Sequence, residues 1–236
     1  MKYTKTKFSP CLLLAMLLAL SCYDVARATT TISSGHVDIF EAEYENDGTN
    51  APTIHLGVHT DTGHYEPADV LLEVKNSAYS STSLFLSPIT TLLGVNAWIL
   101  PVDLEQAANL GLLEAGVAKA GFPSPSSSVT FTMVAAGAAN PGNFALFNSS
   151  SAIRLSATGS DVETSSFSIT TGHIHYNWGF SAPGIYTFDM KASFGALESA
   201  VETYTFNVVP EPSSGALLLI GLVSWVATRK RVVSKE

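Results

Sequence analysis

Two histidines one residue apart are the clearest candidates for chemistry in this chain. His173 and His175 lie within residues 172–180, where polar and apolar residues alternate. Alternate side chains of a β-strand share a face, so this pattern predicts that His173, His175 and Asn177 face one way and the apolar residues face the core. The two imidazoles would stand about 7 Å apart at their Cα atoms, close enough to bind one ion.

A second pair with the same spacing, His36 and Asp38, lies on the first predicted strand. Strict alternation predicts that Phe40 shares their face. If this strand lies near the His173 strand, then His36, Asp38, His173 and His175 form a nitrogen-rich site for a divalent metal such as zinc. The alternative is that each histidine hydrogen-bonds to backbone or water inside an ordinary β domain.

Three further histidines form a weaker group: His55, His59 and His64. They lack the glutamate that a zinc protease carries directly after its first histidine, so we expect them to be surface or turn residues. Three acidic residues share one strand face and are interpreted as a solvated edge rather than as a glycosidase pair: Glu41, Glu43 and Glu45.

Composition excludes several other functions. The chain has no G-x-S-x-G elbow, phosphate-binding loop or dinucleotide motif, which predicts that it is not an enzyme. Residues 29–209 carry four basic and seventeen acidic side chains, a balance that disfavours nucleic acid. Both cysteines, Cys11 and Cys22, precede this region, so it has no disulfide or thiolate site if the N-terminal segment is removed.

Alternation rather than helical periodicity dominates the region between the two ends. Short alternating segments are separated by Gly, Pro, Asn and Ser, which is typical of β-strands joined by turns. The pattern predicts an all-β fold, specifically an Ig-like antiparallel β-sandwich. Only residues 103–119 break the pattern, and there we expect a short helix with Asp103 as its N-cap.

The N-terminus has the features of an export signal over residues 1–28. Three lysines precede an uncharged apolar run at residues 11–20, and Ala26-Arg27-Ala28 provides a cleavage site. The run is short for a membrane span, but an uncleaved anchor helix is an alternative. Processing as a lipoprotein at Cys22 is a third, because residues 19–22 loosely match a lipobox.

The C-terminus carries a second targeting segment over residues 209–236. Pro210, Glu211 and Pro212 form an extended stretch that cannot continue a helix or a sheet. Sixteen uncharged residues at 213–228 predict a short transmembrane helix, about 24 Å long. The basic residues of 229–236 would keep this end cytoplasmic.

This ordered combination of motif, helix and basic cluster resembles the PEP-CTERM sorting tail. The resemblance implies processing by an exosortase, a membrane transpeptidase-like enzyme of Gram-negative-type bacteria that make exopolysaccharide. It makes Pro210, Glu211 and Pro212 recognition residues. Signal peptidase would be the other processing partner, and the membrane helix would hold the chain before sorting.

Residues 29–208 resemble the choice-of-anchor M domain of bacterial surface proteins. The resemblance rests on Ser-Gly-His-Val-Asp-Ile at 34–39, Leu-Gly-Val-Asn-Ala-Trp-Ile-Leu-Pro at 93–101 and Asn-Pro-Gly-Asn-Phe at 140–144. Its most specific part is His-x-His-x-Asn-Trp followed by Pro183-Gly184-x-Tyr186. It implies a domain that occurs with different surface-attachment tails.

Together these features predict a noncatalytic exported protein of the cell surface or extracellular matrix, sorted through its tail and embedded in exopolysaccharide. One alternative is a surface module that binds a divalent metal through the histidines. A second is a carbohydrate-binding module, based on the acidic faces and on aromatic residues such as Tyr44 and Tyr79.

Overall fold

The computed structural model describes residues 30–210, and most of the regular elements in this range are β-strands. The all-β prediction is therefore confirmed. The predicted signal peptide, membrane helix and basic tail lie outside the described residues. So do Glu211 and Pro212.

The strands form three sheets. The seven-stranded sheet runs in the order β1 (Thr30–Ile32), β5 (Val70–Val74), β18 (Glu202–Val208), β16 (Gly184–Phe194), β9 (Val129–Ala136) and β13 (Ser166–Ile169), with β17 (Leu197–Glu198) also pairing with β16. The six-stranded sheet runs β12 (Asp161–Thr164), β11 (Ile153–Thr158), β10 (Phe144–Phe147), β15 (Asn177–Phe180), β7 (Asn96–Leu100) and β6 (Tyr79–Ser81). The five-stranded sheet runs β14 (His173–His175), β8 (Leu113–Ala120), β2 (Gly35–Glu45), β3 (Thr53–Thr60) and β4 (Gly63–Tyr65).

The six-stranded sheet is antiparallel, but the other two sheets of residues 30–210 are mixed, so the prediction of a purely antiparallel arrangement is wrong. Strand β5 pairs in parallel with both β1 and β18, and β2 pairs in parallel with β8. Parallel neighbours require a long crossover connection, and residues 46–112 provide one between β2 and β8. Alternation within a strand does not reveal the direction of its neighbour.

Two short α-helices interrupt the strands: α1 (Ser87–Leu93) and α2 (Leu104–Asn109). The Asp103 carboxylate accepts a hydrogen bond from the Gln106 backbone N–H at 3.0 Å, which confirms the predicted N-cap. Single 3₁₀ turns occur at Pro67–Asp69 and Asn76–Ala78. The segment expected to hold a short helix continues beyond α2 into strand β8, which the sequence pattern did not predict.

Phe40 lies in the core between the three sheets. Alternation predicted that it would share the face of His36 and Asp38, and that prediction is wrong. The Phe40 side chain is fully buried, and its ring centroid lies 4.9 Å from that of Trp178 and 4.8 Å from that of Tyr204. These two partners belong to the six-stranded and seven-stranded sheets. The aromatic packing therefore fixes the five-stranded sheet against both others.

A β-bulge at Ile39 reverses the alternation of β2. Asp38 pairs with Gly116 and Phe40 with Val117, so β2 contains one more residue than β8 over this interval. Each inserted residue exchanges the two faces of the strand beyond it. Ile39 and Phe40 both point into the core, and Glu41 then returns to the face that Asp38 occupies.

The predicted strand over residues 174–180 is divided between two sheets. Strand β14 ends at His175, and β15 begins at Asn177 in the six-stranded sheet. The expectation that Asn177 shares the histidine face is therefore wrong. The Asn177 side chain is buried, and its Oδ1 accepts a hydrogen bond from the Val102 backbone N–H at 2.9 Å.

Candidate metal centre

A single row of paired residues crosses all five strands of the five-stranded sheet. His175 of β14 pairs with Gly116 of β8, and Gly116 pairs with Asp38 of β2. Asp38 pairs with His59 of β3, which in turn pairs with His64 of β4. Paired residues in neighbouring strands lie side by side, so the register itself assembles these polar side chains.

This sheet also carries all six histidines of the chain. They are His36 on β2, His55 and His59 on β3, His64 on β4, and His173 and His175 on β14. The opposite face of the sheet is apolar and packs in the core through residues such as Val37, Leu56 and Val117. One sheet thus separates a hydrophobic face from a histidine-rich face.

Three of the histidines, which we call the triad, form a compact group: His36, His173 and His175. Their ring centroids lie 4.4 Å apart for His173 and His175, 5.1 Å for His36 and His173, and 5.8 Å for His36 and His175. A nitrogen atom from each ring falls within 4.8 Å of those of the other two. The triad is partly exposed, so an ion can reach it from solvent.

Second contacts orient two of these rings. His173 Nδ1 lies 2.6 Å from Oδ1 of Asp38, a carboxylate that is only 4% exposed. His175 Nδ1 lies 3.0 Å from the Ala115 carbonyl oxygen, and because a carbonyl cannot donate, Nδ1 carries the proton. Both rings therefore use Nδ1 for orientation and turn Nε2 towards each other.

The two Nε2 atoms face each other at 2.6 Å. Burial lowers the pKa of His175, although its bond to the Ala115 carbonyl opposes the shift, so the neutral ring with a lone pair on Nε2 is favoured. A contact of this length is a hydrogen bond if one of the two Nε2 atoms carries a proton. A metal ion bound by both rings would replace that proton and draw on both nitrogen lone pairs.

Gly116 leaves the space in which Asp38 and His173 meet. A Cβ atom at this position would collide with Asp38 Oδ1 and would lie 2.7 Å from His173 Cε1. The backbone conformation of Gly116 is one that any residue can adopt. Glycine is therefore required here because a side chain would fill the space that Asp38 and His173 occupy.

Comparisons with known proteins assign no family to this arrangement. No family model matches the chain, and searches of curated proteins and of solved structures gave no significant match.

The four residues predicted for a metal site do come together, but in two different roles. His36, His173 and His175 present their ring nitrogens to one another, whereas Asp38 contacts the Nδ1 of His173. Carboxylates in this position orient a metal-binding histidine and raise its basicity. Asp38 is thus placed as a positioning residue for His173.

Sequence reasoning missed a second cluster on the same face. Glu41 was expected on a solvated edge, yet its side chain is only 6% exposed and contacts His59 and His64. The bulge at Ile39 causes this burial, because it moves Glu41 onto the crowded histidine face. His55 is exposed, as predicted, and lies 3.5 Å from Glu45.

The predicted sorting motif begins at the end of the described residues. Val209 N–H donates to the Val74 carbonyl at 2.9 Å, its own carbonyl accepts from Trp98 Nε1 at 3.1 Å, and Pro210 is exposed. Over residues 30–210, none of the helices has the length and apolar character needed to cross a membrane. The segment for which such a helix was predicted, 213–228, is outside that range.

Proposed function

We propose that this domain binds a divalent transition metal such as zinc through His36, His173 and His175. The observation that carries the proposal is that one nitrogen from each of three imidazoles lies within 4.8 Å of the other two. Three nitrogen ligands with one open position suit zinc, and a small movement of the rings would open the 2.6 Å approach of the two Nε2 atoms to the roughly 3.3 Å that two zinc ligands need. Asp38 would hold His173 in the orientation that directs Nε2 at the ion.

The open position has a chemical consequence. A fourth ligand could be water, or a group supplied by a partner, and an exposed ion of this kind can exchange with solvent. We therefore favour a role in capture or display of the metal over a closed structural site. We propose that the domain acts without catalysis, because its sequence has no G-x-S-x-G elbow, phosphate-binding loop or dinucleotide motif.

The proposal is tested by the zinc content of the full-length chain purified in mild detergent. His173→Ala combined with His175→Ala should remove one equivalent of zinc after loading and desalting. His55→Ala is the matched control, because His55 lies on the same sheet but outside the triad, and it should retain the wild-type content. An unchanged zinc content in the double variant would rule out the triad, and thermal unfolding of each variant establishes that it is folded.

We also propose that the protein is exported and displayed at the cell surface or in the matrix of a Gram-negative-type bacterium. The order of signal-type residues, β domain, Pro210-Glu211-Pro212 and basic tail supports this, as does the resemblance to choice-of-anchor M domains with their Ig-like sandwich. Signal peptidase, exosortase and exopolysaccharide are the partners this implies. N-terminal sequencing should show that the exported protein begins at Thr29. A chain that begins at a lipidated Cys22, or one that retains Met1, would contradict cleavage after Ala28.

The carbohydrate-binding alternative receives less support from the aromatic residues. Tyr44 packs against Phe122 with ring centroids 5.5 Å apart and against Phe194 at 6.1 Å, so its ring is not free to stack on a sugar. Tyr79 is 43% exposed, but its ring packs against that of Trp98, with the ring centroids 4.5 Å apart. Neither ring forms a platform with the other.

A further inference from the structure

A buried carboxylate on the histidine face holds two imidazoles at once. Glu41 is 5% exposed; its Oε1 lies 3.5 Å from His59 Nδ1 and its Oε2 lies 3.1 Å from His64 Nδ1. The two rings stack in parallel, with centroids 4.2 Å apart and an interplanar angle of 6°. The hairpin of β3 and β4 aligns them, because His59 and His64 are direct cross-strand partners.

These separations match the edges of a metal coordination polyhedron. Zinc binds nitrogen and oxygen at about 2.0–2.2 Å, so neighbouring ligand atoms in a tetrahedron lie roughly 3.3 Å apart. The two distances from Glu41 to the Nδ1 atoms, 3.1 Å and 3.5 Å, lie on either side of this value. Two imidazole nitrogens and one carboxylate are also a ligand set that zinc accepts.

The cluster has an excess of negative charge that a cation would compensate. Within residues 30–210, the basic groups that contact Asp38 and Glu41 are imidazoles, and neither carboxylate forms an ion pair with Lys or Arg. Both carboxylates are almost fully buried, so little solvent screens their charge, and a bound cation would offset it.

Asp38 stands between this cluster and the triad. Its Oδ1 contacts His173 Nδ1 at 2.6 Å, and its Oδ2 lies 4.0 Å from His59 Nδ1. One carboxylate thus reaches a histidine of each cluster. Removal of the Asp38 charge is therefore expected to weaken metal binding at both clusters.

Solvent reaches the second cluster through a cavity of about 360 Å³. Glu41 and His64 line it, together with Glu43, Glu66 and Asp69, and no Lys or Arg is among its lining residues. Several carboxylates around one opening concentrate cations there. The cavity leaves room for water on a bound ion.

We propose that Glu41, His59 and His64 form a second divalent-metal site beside the triad, so that the histidine face holds two ions with Asp38 between them. This rests on the proposed function for the first ion, but the second site has its own ligands. Its ligand set is richer in oxygen than the triad, and it opens to its own cavity.

Zinc stoichiometry by isothermal titration and elemental analysis of the full-length chain tests this proposal. The wild type and Glu105→Gln, which changes an exposed carboxylate on α2 in the same way, should bind two equivalents. Glu41→Gln with His64→Ala should bind one, His173→Ala with His175→Ala should bind one, and the four substitutions together should bind none. Glu41→Gln preserves the shape of the side chain while removing the desolvated charge, so the fold should persist.

The outcomes separate the two proposals. If Glu41→Gln with His64→Ala keeps the wild-type stoichiometry while the triad variant loses one equivalent, the second site is wrong and the first stands. If the reverse holds, the triad is wrong and the second site stands. Asp38→Asn should raise the zinc Kd at least tenfold at both sites; an effect confined to the triad would overturn the shared role of Asp38.

Discussion

The two histidine clusters share one sheet face but are built by different means. The triad takes two of its members from one short strand, where alternate residues face the same way by default. The cluster of Glu41, His59 and His64 depends on a strand irregularity and on the register of a hairpin. A cluster set by local residue spacing and a cluster set by strand pairing can therefore lie side by side on one sheet. Only the first kind can be recognised from a sequence pattern.

A shift of the strand beyond Phe40 should separate the clusters most strongly. Insertion of one alanine directly after Phe40 would turn Glu41 into the core and Ala42 outwards, because an added residue exchanges the two faces of the strand beyond it. We expect the free energy of unfolding, measured in urea, to fall by about 3 kcal/mol or more, because the insertion buries an unpaired charge.

Insertion of one alanine after Asn50, in the exposed loop between β2 and β3, is the matched reference, because it lengthens the chain by the same residue without shifting a strand. Equal losses of stability in the two variants would mean that the alternation beyond the bulge does not determine where Glu41 lies.

Filling the space at Gly116 should affect the triad more than the second cluster. In Gly116→Ala, the new methyl group would push Asp38 and His173 apart. We expect a loss of stability of about 1–3 kcal/mol and a rise of about tenfold in the zinc Kd of the triad. Titration of the variant that lacks Glu41 and His64 ligands isolates the triad for this measurement.

Gly172→Ala provides the control for this effect. Gly172 directly precedes His173, but a Cβ there would have no atom within 4 Å. Its zinc affinity should equal that of the wild type, and a similar loss in both glycine variants would argue against a specific collision at Gly116.

The smallest effect is expected at Asp61, an exposed carboxylate beside His36 of the triad. Asp61 Oδ1 lies 3.7 Å from His36 Nδ1, but its side chain is 81% exposed. Exposed ion pairs are weak and are screened by salt, so Asp61→Asn should raise the zinc Kd of the triad less than about threefold. A tenfold rise, equal to that expected for the buried Asp38, would show that burial is not what distinguishes the two carboxylates.

Sequence alone predicted the all-β class, the N-cap at Asp103 and the shared face of His173 and His175. These succeeded because strand periodicity and helix capping are local. The role of Asp38 beside His173 was not predicted, since it depends on β8, which lies between β2 and β14 and supplies Gly116. That strand follows a short helix and contains a glycine, so its alternation is weak.

The second cluster was missed because a bulge breaks the two-residue period. The consecutive apolar residues Ile39 and Phe40 are its only trace in the sequence, and such a pair also occurs at ordinary strand ends. His59 and His64 are partly exposed, as predicted for surface residues, but their contact with Glu41 was not predicted, because the pairing of β3 with β4 cannot be derived from their separation of five residues. Strand direction and sheet membership also escaped prediction, as at Asn177.

The final strand gives the domain a mechanical property. Strand β18 is internal to its sheet, with β5 on one side and β16 on the other, and the chain leaves it at Val209. Tension applied through Pro210 acts along the length of β18 and loads both hydrogen-bond ladders simultaneously in shear. A peripheral strand would instead unzip one bond at a time. A chain held by its C-terminal end would therefore withstand drag on the rest of the domain.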